Sequence, residues 1–196
     1  MDIILASSSP RRRELLEQIG IHNYRILTPD VDEHVDAPMD PAALVELLSQ
    51  RKARAVRARA GDGPLIIAAD TVVALDGAVL GKPEDEADAA RMLSRLSGKQ
   101  HHVYTGFTVL QGGRELTEHE ATAVTFRALT GEDIRRYVAT GEPMDKAGAY
   151  GIQGVGALFI DRIEGDYFNV MGLPVFRLGR ALSQFGLDAL ALAAGE

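Results

Sequence analysis

The sequence predicts an α/β fold in which helices flank a mixed β-sheet. Apolar segments of strand length alternate with amphipathic helical patterns over the first 60 residues, and two hairpin patterns follow before a final strand and helix. This order favours a mixed sheet over a purely parallel, doubly wound one. No internal repeat, low-complexity tract or linker interrupts the sequence, so residues 1–196 are expected to form a single domain.

The first half of the chain contains two predicted strands and two predicted helices. The strands are short apolar segments at Asp2–Ala6 and Tyr24–Thr28. Each helix begins with a polar N-cap residue followed by proline, a combination that favours a helix start because proline fits the first helical position. These helices are expected to run from Pro10 to about Ile19 and from Pro41 to Gly61.

The second half begins with Leu65–Ala69, which is apolar at every position, as in a strand covered on both faces. Asp76-Gly77 predicts a tight turn between the strand segments 72–75 and 78–80. Gly112-Gly113 predicts the junction of two longer antiparallel strands, at 101–110 and 115–127. The remaining predictions are helices at 84–96, 130–140 and 174–185, a strand at 157–162 and a frayed tail at 189–196.

Composition excludes several classes of function. The chain has 21 Lys and Arg against 28 Asp and Glu, a formal charge of −7, which argues against binding to nucleic acid or to an anionic membrane. It has no cysteine, which excludes thiolate nucleophiles and cysteine-ligated metals. No apolar segment approaches the roughly 20 residues of a membrane span, and the N-terminus lacks the pattern of a secretory signal. A soluble cytoplasmic protein is expected.

The basic residues are nevertheless concentrated. Arg11–Arg13 and the stretch from Arg51 to Arg59 hold three and five of them, eight of the 21. The first group opens a predicted helix, whose N-terminus already carries partial positive charge. Three arginines there, beside Ser7, predict a phosphate site formed by serine, backbone N–H groups and guanidinium groups. The alternative is a solvated basic face, and Arg13 is expected to point to solvent in either case.

Two acidic positions are candidates for catalysis. Asp70-Thr71 directly follows the predicted strand Leu65–Ala69, and ligands of α/β folds bind where buried strands end. A carboxylate there could orient a metal ion or accept a proton from water, although an aspartate that caps a turn is an equal alternative. The segment Asp30–Asp40 holds five acids, including Asp36, and no Lys or Arg. Glu33 and its neighbours could supply a metal ligand together with Asp70, or could simply be solvated.

Two lysines are candidates for binding phosphate. Lys52 has Leu48 and Val56 at its i±4 positions, so it lies near the apolar side of its helix and could face inward or extend to solvent. Lys82 stands between Gly81 and Pro83 in a predicted loop, where a solvated lysine is the common alternative.

Several familiar motifs are absent from the sequence. Gly81-Lys82-Pro83 is not a Walker loop, because Pro83 stands where a hydroxyl must hold magnesium. The segment 151–156 lacks dinucleotide-fingerprint spacing, and no G-x-S-x-G elbow of a serine esterase is present. His101-His102 is weak evidence for a metal, since adjacent strand residues point to opposite faces. The residues alone therefore indicate a phosphate-rich small molecule, carboxylates and possible metal involvement.

Six segments, taken in order, resemble the Maf family of nucleoside triphosphate pyrophosphatases. They cover nearly the whole chain: Leu5–Arg12, Ala69–Val73, Gly81–Pro83, Tyr104–Gly106 and Asp145–Gly154, continuing to Asn169–Pro174. The resemblance implies metal-dependent hydrolysis, with Mg²⁺ or Mn²⁺, of a nucleoside triphosphate at the α–β anhydride. It also implies a strongly twisted sheet, two lobes around a central cleft, and a homodimer.

The resemblance also assigns roles to individual residues. Asp70 corresponds to the proton acceptor that activates water, and Glu33 to a second essential acid that acts through the metal. Lys52 and Lys82 correspond to catalytic basic residues that hold the phosphates. Substrate-binding roles fall to five further residues: Ser7, Arg11, Arg12, Thr71 and Gln153.

The segment from Lys146 to Gly154 is similar to that of the dTTP/UTP subgroup, in which Arg11, Thr71 and Gln153 are linked to specificity. A glutamine amide offers a donor and an acceptor, enough to pair with the O4/N3 edge of a pyrimidine. Two alternatives stay open. One is a pyrophosphatase for 7-methyl-GTP or another modified nucleotide, and the other is a regulator of cell division that binds a nucleotide without turnover.

Overall fold

The structure is a computed structural model, and it describes residues 1–35 and 39–194; Asp36 of the acidic loop lies outside the described residues. The strands are β1 (Ile3–Ala6), β2 (Arg25–Ile26), β3 (Leu65–Leu75), β4 (Ala78–Leu80), β5 (Gln100–Gln111), β6 (Arg114–Phe126) and β7 (Ile160–Glu164). The helices are α1 (Pro10–Gln18), α2 (Pro41–Ala60), α3 (Glu86–Leu96), α4 (Gly131–Val138), α5 (Tyr167–Met171), α6 (Val175–Gln184) and α7 (Ala189–Ala194).

The seven strands form a mixed sheet, which confirms the predicted fold class. The strand order is β2-β1-β3-β5-β6-β7, with β4 paired to β3. β1 is parallel to both β2 and β3, and Ala6 pairs with Ala68 at the end of β1. The β3–β4 and β6–β7 pairs are antiparallel. No helix in the described part of the chain is long and apolar enough to cross a membrane.

The chain divides into two compact units. Unit 1 comprises residues 1–70, 105–120 and 172–196, and unit 2 comprises residues 71–104 and 121–171. A core of small and branched residues in unit 1 packs β1 and β3 against α2, with Ile4, Ile66 and Val56 fully buried. Unit 2 has an aromatic core that includes Phe126 and Tyr137. That the two units behave as one domain, around the expected cleft, stays a prediction.

Local signals placed most helix boundaries correctly. Asp40 caps α2, since its side chain accepts hydrogen bonds from the N–H groups of Ala42 and Ala43. Thr130 forms the predicted capping box with Asp133 at α4. Ser9 occupies the N-cap of α1 as predicted, but its side chain makes no capping hydrogen bond.

Three boundary predictions are wrong. β3 is one strand of 11 residues rather than two segments separated at Asp70, because its second half continues along β4. Helix α5 was not predicted, and residues 189–194 form helix α7 instead of a frayed tail. Tertiary contact explains the last case: α7 approaches the backbone of Gly20 so closely that a Cβ there would lie 2.7 Å from the Cβ of Ala193.

Gly106 allows β5 and α2 to approach each other in unit 1. A Cβ at Gly106 would lie 2.4 Å from the carbonyl carbon and oxygen of Val45, and backbone of a packed helix cannot yield as a side chain does. We expect Gly106→Ala to lower the free energy of unfolding by about 3 kcal/mol, the upper range for overpacked cores. Urea denaturation measures this change. Gly113→Ala is the control, since no atom lies within 4 Å of its Cβ position, and equal stability of the two variants would contradict the prediction.

His101 lies fully buried in the aromatic core of unit 2, with its Nε2 2.8 Å from the Tyr150 hydroxyl. Burial, with a smaller contribution from His102, lowers the pKa of His101 from 6.5 to about 4. Between these pH values the unfolded chain binds a proton that the folded protein does not. The free energy of unfolding therefore falls as the pH falls through this window, by about 3 kcal/mol in all.

The substitution His101→Gln tests this pH dependence, because glutamine can keep a hydrogen bond to Tyr150 without titrating. We expect the stability of His101→Gln to fall less than that of the unchanged protein between pH 7 and pH 5, measured by urea denaturation. His22→Gln, at an exposed position, should retain the full dependence. Identical pH profiles for all three proteins would show that His101 is not responsible.

Candidate functional site

The end of β1 and the start of α1 form one side of the site in unit 1. β1 and β3 are parallel, and the carboxyl end of β1 lies beside Ala68 of β3; ligands of α/β folds bind where such strands end. Ser7 follows β1 and is buried; its hydroxyl oxygen accepts hydrogen bonds from the Ser9 N–H and from Arg12, both at 3.2 Å. The N-terminus of α1 therefore lies directly beside the end of β1.

Arg12 joins three segments of unit 1. Its guanidinium donates to the carbonyl oxygen of Gly172 at 2.9 Å, to that of Ala69 at 2.8 Å and to the Ser7 hydroxyl. Desolvation lowers the pKa of Arg12, and the nearby Asp70 carboxylate opposes this effect. Arginine nevertheless stays charged at neutral pH. Arg12 thus holds the site together through backbone contacts, whatever it binds.

The other two arginines of α1 lack the hydrogen bonds that Arg12 makes. Arg11 is half-buried, and its guanidinium has no hydrogen-bond partner within residues 1–35 and 39–194. Arg13, which was expected to point to solvent, is half-buried as well, and its Nε is a buried atom without a partner among the described residues. Contrary to that expectation, Arg13 is therefore not directed wholly to solvent.

Three predicted site residues meet in unit 1. The Lys52 ammonium donates to the Asp70 carboxylate in a very short contact, and it lies 2.8 Å from a carboxylate oxygen of Glu33. The side chains of Lys52 and Asp70 are only 11% and 10% exposed, whereas Glu33 is largely in solvent. Lys52 therefore lies between two carboxylates, one buried and one exposed.

The secondary structure explains how these residues meet. Lys52 lies on the buried side of α2 together with Leu48 and Val56, as the helical spacing predicted. Asp70 lies inside β3, not after its end, which corrects the sequence prediction. The last β1–β3 pair is at Ala68, two residues before Asp70, so the backbone of β1 no longer pairs with β3 at this position.

The remaining arginines of α2 have structural contacts. Arg54 forms a bidentate ion pair with Glu115, at 2.7 and 2.9 Å. The others donate to carbonyl oxygens of neighbouring loops: Arg51 to His34, Arg57 to Gly112 and Arg59 to Thr28. Within the basic stretch from Arg51 to Arg59, Lys52 is the residue that contacts both Glu33 and Asp70.

The other predicted residues, Thr71, Lys82 and Gln153, belong to unit 2. Thr71 is the one half-buried position in an otherwise buried β3. Lys82 and Gln153 are exposed, and neither side chain has a hydrogen-bond partner in the described part of the chain. The loop that carries Lys82 is anchored, since the Gly148 N–H donates to the Gly81 carbonyl oxygen at 2.9 Å.

Sequence analysis did not single out Glu142, although the structure gives its carboxylate an unusual set of partners. It accepts hydrogen bonds from the Tyr137 hydroxyl and from the N–H groups of Val155 and Gly156. These bonds close the loop that carries Gln153. The available signal was a Glu-Pro pair shortly before a glycine-rich segment, which is too short to indicate which groups the carboxylate binds.

Glu33 and Asp70 form an acidic pair whose oxygen atoms are potential ligands of a divalent metal. No cluster of three or more His, Asp or Glu side chains that could hold a metal occurs within the described ranges. Mg²⁺ in phosphate-transferring sites usually takes one or two carboxylates and completes its shell with water and substrate phosphates. Glu33 and Asp70 already converge on one cation, the Lys52 ammonium, so their donor set fits a hydrated Mg²⁺ or Mn²⁺.

The fold and site define a class: a mixed α/β protein in which a lysine joins two carboxylates beside a helix N-terminus. The chain belongs to the family described as Maf-like protein, whose sequence profile matches residues 2–185. This confirms the resemblance drawn from the motifs.

Two relatives cover nearly the whole chain. A protein of Symbiobacterium thermophilum named dTTP/UTP pyrophosphatase is 54% identical over 193 residues, 98% of each chain. A protein of the same name from Moorella thermoacetica is 55% identical over 188 residues, 95% of this chain and 96% of the relative. Among solved structures, a HAM1 protein from Coxiella burnetii matches with a TM-score of 0.51 at 14% identity, covering 94% of this chain and 99% of the other, which indicates a shared fold.

Proposed function

We propose that this protein is a nucleoside triphosphate pyrophosphatase that hydrolyses dTTP and UTP to the monophosphate and pyrophosphate. The observation that carries the proposal is the contact of Lys52 with both Asp70 and Glu33 at the sheet edge where α1 begins. The names of the two relatives at more than 50% identity support the choice of substrate.

The chemistry requires a proton acceptor and positive groups for the phosphates. Water attacks the α-phosphorus, the α–β bridging oxygen leaves with pyrophosphate, and Asp70 accepts the proton that the water releases. Lys52 orients the Asp70 carboxylate through their hydrogen bond. The N–H groups of α1, Ser7, Arg11 and Arg12 bind phosphate oxygens. Lys82 supplies a further positive charge to the triphosphate.

Glu33 and Asp70 are the residues that would hold a divalent metal, and their donor set suits Mg²⁺ or Mn²⁺. When bound, such an ion neutralises charge on the phosphates and polarises the reacting phosphoryl group. Glu33 is exposed and its contact with Lys52 is at the surface of the site, so this carboxylate can change partners without disturbing the core.

Base recognition falls to Gln153, with Thr71 and Arg11 as further specificity residues. The Gln153 amide is exposed and carries one donor and one acceptor group, which match the O4 and N3–H of uracil or thymine. Cytosine presents the opposite pattern at these two atoms. A glutamine held in one orientation can therefore distinguish UTP from CTP.

A panel of nucleoside triphosphates, assayed for pyrophosphate release with Mg²⁺ or Mn²⁺, tests the proposed function. We expect dTTP and UTP to be the preferred substrates, with oxygen-18 from water appearing in the monophosphate. Preference for 7-methyl-GTP would show that the protein is a pyrophosphatase for modified nucleotides. Tight nucleotide binding without pyrophosphate release would favour the regulator instead, and either result would refute the present proposal.

Two further parts of the proposal follow from the family resemblance. A homodimer is expected, and light scattering coupled to gel filtration measures the mass against the 21.1 kDa of one chain. A cytoplasmic location is also expected. A monomeric but fully active protein would remove the first expectation and leave the catalytic proposal standing.

A further inference from the structure

The loop that carries Gln153 is held on both sides by two residues of unit 2. On the N-terminal side, the Gly151 N–H donates to the Tyr137 hydroxyl at 3.1 Å. On the C-terminal side, the Val155 and Gly156 N–H groups donate to the Glu142 carboxylate at 2.8 and 3.1 Å. The Tyr137 hydroxyl itself donates to Glu142 at 2.9 Å, so the two anchors are joined. Gln153 thus stands two residues from an anchored N–H group in either direction.

The backbone of this loop closes tightly on the Glu142 carboxylate. A Cβ at Gly154 would lie 2.4 Å from both carboxylate oxygens of Glu142, and one at Gly156 would lie 2.6 Å from the Tyr137 hydroxyl. A side chain at position 154 would therefore displace the Glu142 carboxylate from the loop N–H groups that it binds. Gln153 itself is exposed, so its placement is set by its neighbours: the buried Ile152 and the N–H groups that Tyr137 and Glu142 bind.

The charge states of the two anchors suit their roles. Burial raises the pKa of Glu142, but the hydrogen bonds from Val155, Gly156 and Tyr137 outweigh it, and the net shift is downward. Burial raises the pKa of Tyr137, which keeps its hydroxyl protonated and able to donate. The Tyr137 ring packs edge-on against Phe159, with centroids 4.9 Å apart, so the hydroxyl is held by a rigid ring.

We propose that Glu142, acting with Tyr137, is a positioning residue for pyrimidine specificity: it holds the Gln153 loop in the one placement from which the amide reads the base. The inference rests on the proposed function, in which Gln153 contacts the base. The Gln153 amide must lie within hydrogen-bond distance of the O4/N3 edge to distinguish UTP from CTP, so this discrimination depends on where the anchored loop places Gln153. Glu142 does not touch the substrate; it acts through Gln153.

The test compares Glu142→Gln and Tyr137→Phe with the unchanged protein. In Glu142→Gln, one carboxylate oxygen is replaced by an NH₂ group, which cannot accept a hydrogen bond from the Val155 or Gly156 N–H. In Tyr137→Phe, the hydroxyl is removed and the packing of the ring is kept. We expect each variant to lower the UTP/CTP ratio of kcat/KM about tenfold, mainly through KM for UTP, because a charge-assisted hydrogen bond is lost. The kcat for UTP should change little, since Asp70, Lys52 and Glu33 belong to unit 1.

Two controls separate positioning from general destabilisation. Glu132→Gln removes a carboxylate of the same unit that pairs with the exposed Arg135 and Arg136, and it should leave the ratio unchanged. Gln153→Ala should lower the ratio by itself, and adding Glu142→Gln to it should produce little further loss. Additive losses in the double variant would overturn the inference, because Glu142 would then act independently of Gln153.

Amide hydrogen exchange supplies a readout that does not depend on turnover. The N–H groups of Val155 and Gly156 should lose protection in Glu142→Gln, and that of Gly151 in Tyr137→Phe. Unchanged exchange, or an unchanged UTP/CTP ratio in an otherwise active Glu142→Gln protein, overturns the inference alone. A wild-type protein that hydrolyses no pyrimidine triphosphate overturns the proposed function instead, so the two failures are distinguishable.

Discussion

Asp70→Asn is expected to lower turnover of dTTP and UTP by about a thousandfold, within the range that a general base contributes. Asparagine has nearly the shape of aspartate, and its carbonyl oxygen can still accept the hydrogen bond from Lys52. It cannot take a proton from water. The loss should therefore appear in kcat, measured by pyrophosphate release. The thermal unfolding temperature should stay close to that of the unchanged protein, because Lys52 keeps its ion pair with Glu33.

Asp62→Asn is the matched control for this experiment. Asp62 is an exposed aspartate of the same unit whose carboxylate lies 3.7 Å from Arg57, away from Lys52 and Glu33. Its substitution should leave turnover within a factor of two. Should Asp70→Asn retain turnover near that of Asp62→Asn, Asp70 is not the proton acceptor and another group must be sought.

Lys52→Met has the second large expected effect, on activity and on stability together. Removing the ammonium leaves the Asp70 carboxylate, only 10% exposed, without the cation that it contacts directly. Breaking one side of a buried pair usually costs about 3 kcal/mol or more, because the remaining charge is desolvated and uncompensated. We expect this loss in urea denaturation at pH 7, with turnover reduced at least a hundredfold.

A double variant identifies the physical origin of that loss. Adding Asp70→Asn to Lys52→Met removes the stranded charge, so most of the lost stability should return while the enzyme stays inactive. Lys99→Met, which removes a surface lysine 3.9 Å from Asp76, should change stability by less than 1 kcal/mol. If Lys52→Met is as stable as Lys99→Met, the charge of Asp70 does not depend on Lys52.

The candidate site illustrates what residue patterns can and cannot indicate. Asp70 was selected as an acid after a buried strand, and Lys52 as a lysine in the apolar row of a helix; the second observation holds in the structure. The first was wrong about the strand, which continues to Leu75, and the catalytic role of Asp70 stays a prediction. Local hydrophobicity drops at Asp70 and Thr71, yet pairing of the following residues with β4 extends the strand through them.

The arginines show the same limit more clearly. Three consecutive arginines at a helix start predicted a binding site and one solvated side chain, but nothing local distinguishes the three. The structure separates them by their surroundings: Arg12 donates to carbonyl oxygens of Ala69 and Gly172, far apart in sequence, whereas Arg11 has no such partner among described residues. Carbonyl acceptors are invisible to sequence reasoning because every residue carries one.

By itself, the sequence determined most element types, most helix starts and the family, since caps, apolar periodicity and short motifs act over a few neighbouring residues. Tertiary structure alone decided that Lys52 lies between Asp70 and Glu33, that α7 forms against Gly20, and that Glu142 closes the Gln153 loop. Each of these depends on the distance between groups remote in the chain. Ion pairs and hydrogen bonds act over only a few ångströms, so packing must bring such groups together before their chemistry can be identified.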